Sequence, residues 1–267
     1  VRKTLEAGGV VHACQEARWI VQAALGGDAL GALTKGAGPE AERRAEELAR
    51  RRASGEPLQY VTGVAGFRQL ELGVGPGVFI PRPETELVAE RAMELLPAGG
   101  IAVELGTGSG AIALSIATER PDATVVATET SGAALAYARA NREALGADVT
   151  LLEGDLFAGV RSELRGRIDV VVSNPPYVPT GERRLLPRDV VAHEPHEALF
   201  AAGDGLAVIR RIASEARAWL RPGGWLVLEI GDRQGSAVRA LLARRAYAAV
   251  AVRRDLAGRE RIAEGRA

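Results

Sequence analysis

The residues with the clearest chemical potential are Asn174-Pro175-Pro176-Tyr177. Asn174 offers a side-chain carbonyl, and Pro175 a backbone carbonyl with no N–H in its own residue. Two acceptors held side by side suit an NH2 group, which has two protons to donate. Tyr177 adds a flat face for a planar amide or base. The tetrapeptide follows Ile168-Asp-Val-Val-Val-Ser173, which reads as a buried parallel strand. Neither proline can donate to a sheet ladder, so the strand must end there, on the side of an open α/β sheet where ligands bind. The competing reading is an ordinary Pro-Pro turn with Asn174 as a turn residue.

A glycine-rich turn weighs against that reading. Glu104-Leu-Gly-Thr-Gly-Ser-Gly110 follows one apolar run and opens a helical one. Its glycines let backbone approach a ligand closely, and a helix N-terminus brings free N–H groups. Glu129 closes the next β-run, placed to accept from a ribose diol. Asp155, with Leu156 and Phe157 as apolar cover, follows the third. An adenosine-containing ligand explains all three positions. The turn alone does not separate a nicotinamide dinucleotide from S-adenosylmethionine, because Gly106, Gly108 and Ala111 satisfy both patterns. Asn174-Pro-Pro-Tyr177 on the fourth strand, for which hydride transfer has no evident use, favours methyl transfer.

The elements that must position these groups follow from periodicity. Strands are expected at Ile101–Leu105, Thr124–Glu129, Val149–Glu153, Ile168–Ser173 and Trp225–Ile230. Helices are expected near Ala111–Glu119, Gly132–Leu145 and Leu206–Leu220, which makes a parallel sheet covered on both faces. Ala246–Asp255 and Arg259–Glu264 read as two closing strands. Before the sheet, Leu5, Val10, Val11, Cys14, Ala17, Ile20, Val21 and Leu25 recur at helical spacing up to Gly26-Gly27. Pro39 to Ser54 reads as a second helix, with Arg50-Arg51-Arg52 as its solvated end. Pro57–Gly63, Gly66–Leu72 and Gly77–Ile80 suggest a small hairpin linker. Pro81-Arg-Pro-Glu-Thr-Glu86 opens a helix to about Leu96, for which a structural reading of Glu84 and Glu86 suffices. Val178 to Gly203 is long for a connection and is a candidate wall for a partner.

Composition sets outer bounds. The chain has 267 residues, long enough for one large domain or a medium and a small one. Lys+Arg and Asp+Glu both number 34, so no global basic field exists to recruit nucleic acid. A single cysteine, Cys14, excludes an intrachain disulfide and a cysteine-based zinc cluster, and it is expected to be buried and inert. Trp19, Trp219 and Trp225 are expected in the core. His193 and His196 lack a convincing third ligand, so no metal is expected. Apolar runs fall short of membrane length, and a cytoplasmic location is expected.

With these residues assembled, the sequence resembles the HemK/PrmC family of protein-(glutamine-N5) methyltransferases that modify peptide release factors. The likeness rests on Gly55-Glu-Pro-Leu-Gln-Tyr-Val-Thr-Gly63, Ile80-Pro-Arg-Pro-Glu-Thr-Glu86, Glu104–Gly110, Gly154-Asp-Leu-Phe157 and Ser173-Asn-Pro-Pro-Tyr177. It continues through Glu194-Pro195, Ala198-Leu-Phe200, Leu228-Glu-Ile-Gly231, Gln234-Gly235 and Asp255-Leu-Ala-Gly-Arg259. The Pro81–Glu86 block is its most specific part. The resemblance implies an α/β class I S-adenosylmethionine-dependent methyltransferase, Rossmann-like with a seven-stranded mostly parallel sheet, and a small N-terminal helical domain. It places a helical substrate-recognition domain at 1–62, a hairpin linker at 63–83 and the catalytic domain at 84–267.

Carried over by position, Gly106, Thr107, Gly108, Ser109 and Gly110 would line the methionine end of S-adenosyl-L-methionine. Glu129 would bind its ribose, Asp155 and Leu156 would lie by the adenine, and Asn174 would border the cofactor. Asn174, Pro175, Pro176 and Tyr177 would hold the glutamine of a Gly-Gly-Gln motif in a class-1 release factor. Asn174, Pro175 and Tyr177 would be the catalytic set. The family usually carries Asp where Glu104 and Glu129 stand, and often an aromatic at Leu156. A monomer with no membrane or direct nucleic-acid contact is expected. The rivals are a glutamine methyltransferase acting on a ribosomal protein, an adenine-N6 methyltransferase with a flipped base on Tyr177, and a non-catalytic docking module.

Overall fold

Alternation of side chains along the strands explains both the sheet and the position of the site. The computed structural model describes residues 1–26 and 38–267. The chain opens with α1 (Arg2–Ala7), α2 (Ala13–Leu25), α3 (Pro39–Ala53) and α4 (Leu58–Thr62), followed by the antiparallel hairpin β1 (Val64–Phe67) and β2 (Leu70–Gly73). Next come α5 (Pro83–Leu95), β3 (Ile101–Leu105), α6 (Ala111–Glu119), β4 (Thr124–Glu129), α7 (Gly132–Leu145), β5 (Val149–Glu153) and β6 (Ile168–Ser173). After the short β7 (Val178–Pro179), α8 (Arg188–His193), α9 (His196–Leu199) and β8 (Phe200–Ala201), the chain finishes the large layer. It does so through α10 (Ala207–Glu215), β9 (Leu220–Glu229), α11 (Gly235–Arg244), β10 (Ala248–Arg254) and β11 (Glu260–Arg266). No helix among the described residues is long and apolar enough to cross a membrane.

The large sheet has the order β10-β11-β9-β6-β3-β4-β5. β5, β4, β3, β6 and β9 pair in parallel, while β11 runs against both of its neighbours. The expected class I methyltransferase architecture, seven-stranded and mostly parallel, is therefore present. From β3 the chain builds outward through β4 and β5, then returns to the other side of β3 for β6. That reversal makes a crevice at the carboxyl ends of β3 and β6.

Both faces of the sheet are dry. Ala102, Val125, Ala127, Val170, Val172 and Val227 enter one apolar cluster with α5, α6 and α7. Their neighbours Val103, Leu105, Val126, Val171, Leu226 and Leu228 enter the other, with α10 and α11. Side chains two apart share a face, so Glu104, Glu129, Asn174 and Glu229 all belong to the α5–α6 side.

Several expectations need correction. The helical signal at 1–25 breaks at Gly8-Gly9, and the core stripe of α2 is Ala13, Glu16, Ile20 and Ala24. Cys14 is consequently exposed, as is Trp19, while Trp225 is only partly buried and Trp219 is in the core. Glu16 is buried because Arg52 grips it, Nε to Oε2 at 2.6 Å, and Arg51 is paired with Glu56. Arg52 is thus an internal clamp, whereas Arg50 stays exposed at a solvated end and Arg51 is half-exposed. Gly26 takes the left-handed conformation just past α2, whereas Gly27 lies outside the described residues.

Leu58–Thr62 is helical rather than extended, and Gly77–Ile80 forms no strand. The helix before β9 ends at Glu215 in a 3-10 turn, and β9 begins five residues earlier than Trp225. Pro222 and Gly223 fit inside β9 because the pairing with β6 shifts register between Ile168 and Val170.

Candidate active site

The glycine turn departs from β3 with Gly106, Gly108 and Gly110 all at positive φ, +72°, +57° and +90°. An added Cβ at Gly106 or Gly108 would meet nothing within 4 Å, so the bare backbone there faces open space. At Gly110 a Cβ would strike Leu114, which makes that glycine a packing requirement of α6. The cavity bordered by this turn has a volume of about 230 Å³. Gly106, Thr107, Gly108, Ser109, Glu129, Asp155, Leu156, Asn174, Pro175 and Pro176 all line it. Gly110 and Tyr177 do not.

Glu129 is nearly buried and braces the turn, with Oε2 accepting from the Gly108 amide at 2.8 Å and Oε1 from the Ser131 amide at 2.9 Å. Asp155 is exposed at the rim and paired with Arg211 at 2.8 Å. Leu156 adopts φ +52° in the turn after β5 and adds apolar wall along with Ile112, Val208 and Ile212. Phe79, from the segment expected to be a strand, supplies the aromatic part of that wall.

Glu104 was not assigned to the site from sequence, yet it lines the cavity from beneath. Its Oε2 accepts from Thr107 Oγ1 at 2.5 Å and from the Ala113 amide at 2.9 Å, so it caps α6 from the strand below. Burial pushes its carboxyl up to about 8, only partly opposed by those two donors. The folded state therefore keeps a proton that the unfolded chain releases above its ordinary carboxylate range. Stability from this group is fully present at low pH and is lost as pH rises toward about 8. Glu104→Gln is expected to flatten the decline of the urea midpoint between about pH 5 and 8. An unchanged slope in the variant would rule out Glu104 as its source.

Asn174 sits across the cavity from the turn. Its Nδ2 donates to Thr85 Oγ1 at 3.2 Å, which makes Oδ1 the acceptor end of the side chain. Thr85 is the third residue of α5, and its hydroxyl donates to Glu229 Oε2 at 2.6 Å. Tyr177 behaves differently from expectation. Its hydroxyl donates to Glu229 Oε1 at 3.1 Å, its carbonyl accepts from Gln234, and its ring packs on the α10–α11 cluster. Tyr177 is not among the residues that line the cavity; buried Glu229 takes its polar tip and half-buried Gln234 its backbone carbonyl. Burial pushes Glu229 up to about 7, opposed by Thr85, the nearby Arg261 guanidinium and Tyr177.

Thr85 and Glu229 are the functional neighbours that sequence reasoning missed. Glu229 shares the strand parity of Val227, a signal that could have placed it on the Asn174 side. The long Val178–Gly203 connection is organised by Glu194, which is buried, accepts from the Ile80 amide at 3.1 Å and pairs with Arg82. His196 bonds the Val191 carbonyl and meets Phe200 edge-on. Among the described residues no three His, Cys, Asp or Glu side chains are grouped as metal ligands.

Comparison with known proteins matches residues 1–63 to the PrmC N-terminal domain and residues 76–204 to the methyltransferase small domain. The chain is 39% identical over 261 residues to a release factor glutamine methyltransferase of Geobacter sulfurreducens, covering 97% of this chain and 91% of that one. It is 45% identical over 262 residues to the protein of the same name from Burkholderia pseudomallei, covering 94% and 91%. A solved methyltransferase from Pyrococcus furiosus, 22% identical, shares the fold with a TM-score of 0.57 over 84% of this chain and 98% of that one.

Proposed function

The chain belongs to the release factor glutamine methyltransferase family, and we propose that its cavity serves methyl transfer from S-adenosyl-L-methionine to the N5 amide nitrogen of a release factor glutamine. The acceptor is the glutamine of a Gly-Gly-Gln motif in a class-1 factor, and the helical unit at 1–62 contributes to its recognition. The observation that carries this reading is Asn174, whose amide is turned so that its oxygen remains to accept protons, opposite a bare glycine turn in the same cavity.

The residues present fit the cofactor. Gly106 and Gly108 leave room for a ligand against the backbone, and Thr107 and Ser109 border the same turn. Glu129 presents a carboxylate to a ribose diol, and Leu156 gives an adenine an apolar neighbour. Glu129 and Glu197 place acidic side chains on the wall, which suits a cationic ligand. When bound, S-adenosyl-L-methionine supplies a strongly electrophilic sulfonium methyl group.

An amide nitrogen is a weak nucleophile because its lone pair is delocalised into the carbonyl. Asn174 Oδ1 and the Pro175 carbonyl each accept one of its protons, which fixes the NH2 plane and aims the nitrogen. Pro176 keeps the turn rigid and borders the substrate, and Tyr177 anchors it from behind through Glu229. As positive charge develops on nitrogen, the two carbonyl dipoles stabilise it more in the transition state than in the ground state, and the surplus N–H proton passes to water to leave the neutral N5-methyl amide. Orientation and electrostatics then carry the rate.

The test is methyl transfer from labelled S-adenosyl-L-methionine to a purified release factor and to the same factor with its Gly-Gly-Gln glutamine replaced by alanine. A DNA duplex and a ribosomal protein fraction run alongside. Label on the intact factor and none on the substituted one is the expected result. Label on the duplex or the ribosomal fraction alone overturns it.

A further inference from the structure

Asn174 is useful as an acceptor only if its amide is held one way round. A half-turn about its last side-chain bond would exchange oxygen for NH2 and set donor against donor at the substrate nitrogen. The two ends are nearly equal in shape, so packing cannot choose between them; hydrogen-bond polarity must.

The choice traces to β9. Ser173 of β6 pairs with Leu228 of β9, and one step further Asn174 and Glu229 emerge on the same side of the sheet. Thr85, in the first turn of α5, lies between them at 3.2 Å from Asn174 Nδ2 and 2.6 Å from Glu229 Oε2. Thr85 is 3% exposed and Glu229 1%. A hydroxyl has one proton. A short O–H···O contact to a carboxylate is the stronger use of it, so the Thr85 proton goes to Glu229. Its oxygen then has only lone pairs for Asn174, which must answer with NH2. The second carboxylate oxygen of Glu229 takes the Tyr177 hydroxyl at 3.1 Å, and Arg261 donates to that hydroxyl at 3.3 Å. In its ionised form Glu229 accepts at both ends, and the two hydroxyl donors and the buried Arg261 guanidinium favour that form against the upward push of burial.

We propose that Thr85 and Glu229 are positioning residues that fix the hydrogen-bond polarity of Asn174, so that its oxygen faces the substrate nitrogen. This rests on the proposed glutamine acceptor. Glu229 does not line the cavity, and Thr85, which borders it, is assigned its role through Asn174. The chain of command is carboxylate, hydroxyl, amide, and each link determines the next.

Thr85→Val keeps the shape of the side chain and removes both hydrogen bonds, whereas Thr85→Ser keeps them. In the full-length protein, with S-adenosyl-L-methionine and a purified release factor, Thr85→Val is expected to lower kcat about 10- to 100-fold. Cofactor Kd should stay within about threefold, and Thr85→Ser should restore kcat to within about threefold of wild type. Added to Asn174→Ala, Thr85→Val should change the residual rate less than about twofold, because the residue it directs is gone. Should Thr85→Val not accumulate as folded protein, Thr85→Cys, a poor donor and acceptor, is held to the same thresholds.

A Thr85→Val kcat within about twofold of wild type overturns the proposal, as does equal loss in Thr85→Ser or a full further loss in the Asn174→Ala background. A wild-type chain that leaves the release factor unlabelled overturns the functional reading and this proposal with it.

Discussion

Asn174→Ala is expected to lower turnover about 10²- to 10³-fold, the range for removing one preorganised polar group from a reacting centre. Asn174 Oδ1 is proposed to hold one of the two protons on the acceptor nitrogen, and the substitution leaves that proton without a directed acceptor. The Pro175 carbonyl alone then allows the NH2 plane to rotate, so the variant loses orientation as well as transition-state charge stabilisation. Cofactor affinity should stay within about threefold, since the glycine turn and Glu129 are on β3 and β4, the far side of the crevice. Single-turnover methyl transfer with saturating release factor, beside calorimetric titration of the cofactor, separates the two effects. Near-normal turnover would remove the amide-orientation mechanism. A parallel loss of cofactor binding would move Asn174 from the acceptor side of the site to the donor side.

Glu129→Ala should produce the second large effect, in the opposite compartment of the same site. The carboxylate is proposed to accept from a ribose diol while its oxygens also hold the Gly108 and Ser131 amides at 2.8 and 2.9 Å. Hydrogen bonds to a charged acceptor are worth about 1.5–3 kcal/mol each. Losing the ribose contacts and the brace on the turn should therefore weaken cofactor binding by about 10²-fold or more. Glu129→Gln, which retains one acceptor oxygen, should fall between the two. With enough cofactor to compensate, kcat of Glu129→Ala should recover most of its value, because no group on the acceptor side has changed. An affinity within about threefold of wild type would show that the ribose is held elsewhere.

Much of the architecture was legible in one dimension. β3, β4, β5 and β6 run between the same residues that apolar runs and turn signals mark out, because β3 and β6, buried on both faces, must be almost continuously apolar and stop at Gly106 and at Asn174-Pro175. The positive φ of Gly106 and Gly108 is likewise a local property, readable from residue type. Local rules failed where a neighbour changed their meaning. Pro222 and Gly223 look like breakers, yet a register shift against β6 carries them inside β9. Cys14 and Trp19 belong to an apolar pattern, but α3 covers a different stripe of α2, and the charged Glu16 is on the buried side because Arg52 neutralises it. The flat ring of Tyr177 is legible from residue type, but its bonds to Glu229 and Gln234, 52 and 57 residues away, are not.

The sequence by itself determined the doubly wound sheet, the glycine turn after β3, and the Asn-Pro-Pro-Tyr turn after β6. These depend on residue type and on spacings of two to four residues, which the chain carries wherever it folds. Tertiary structure alone decided how Asn174 is turned. Thr85 is 89 residues away from it along the chain and 144 from Glu229. They meet because α5 packs across β6 and β9, and the polarity of a side-chain amide is set by whichever donors and acceptors the packed fold brings to it.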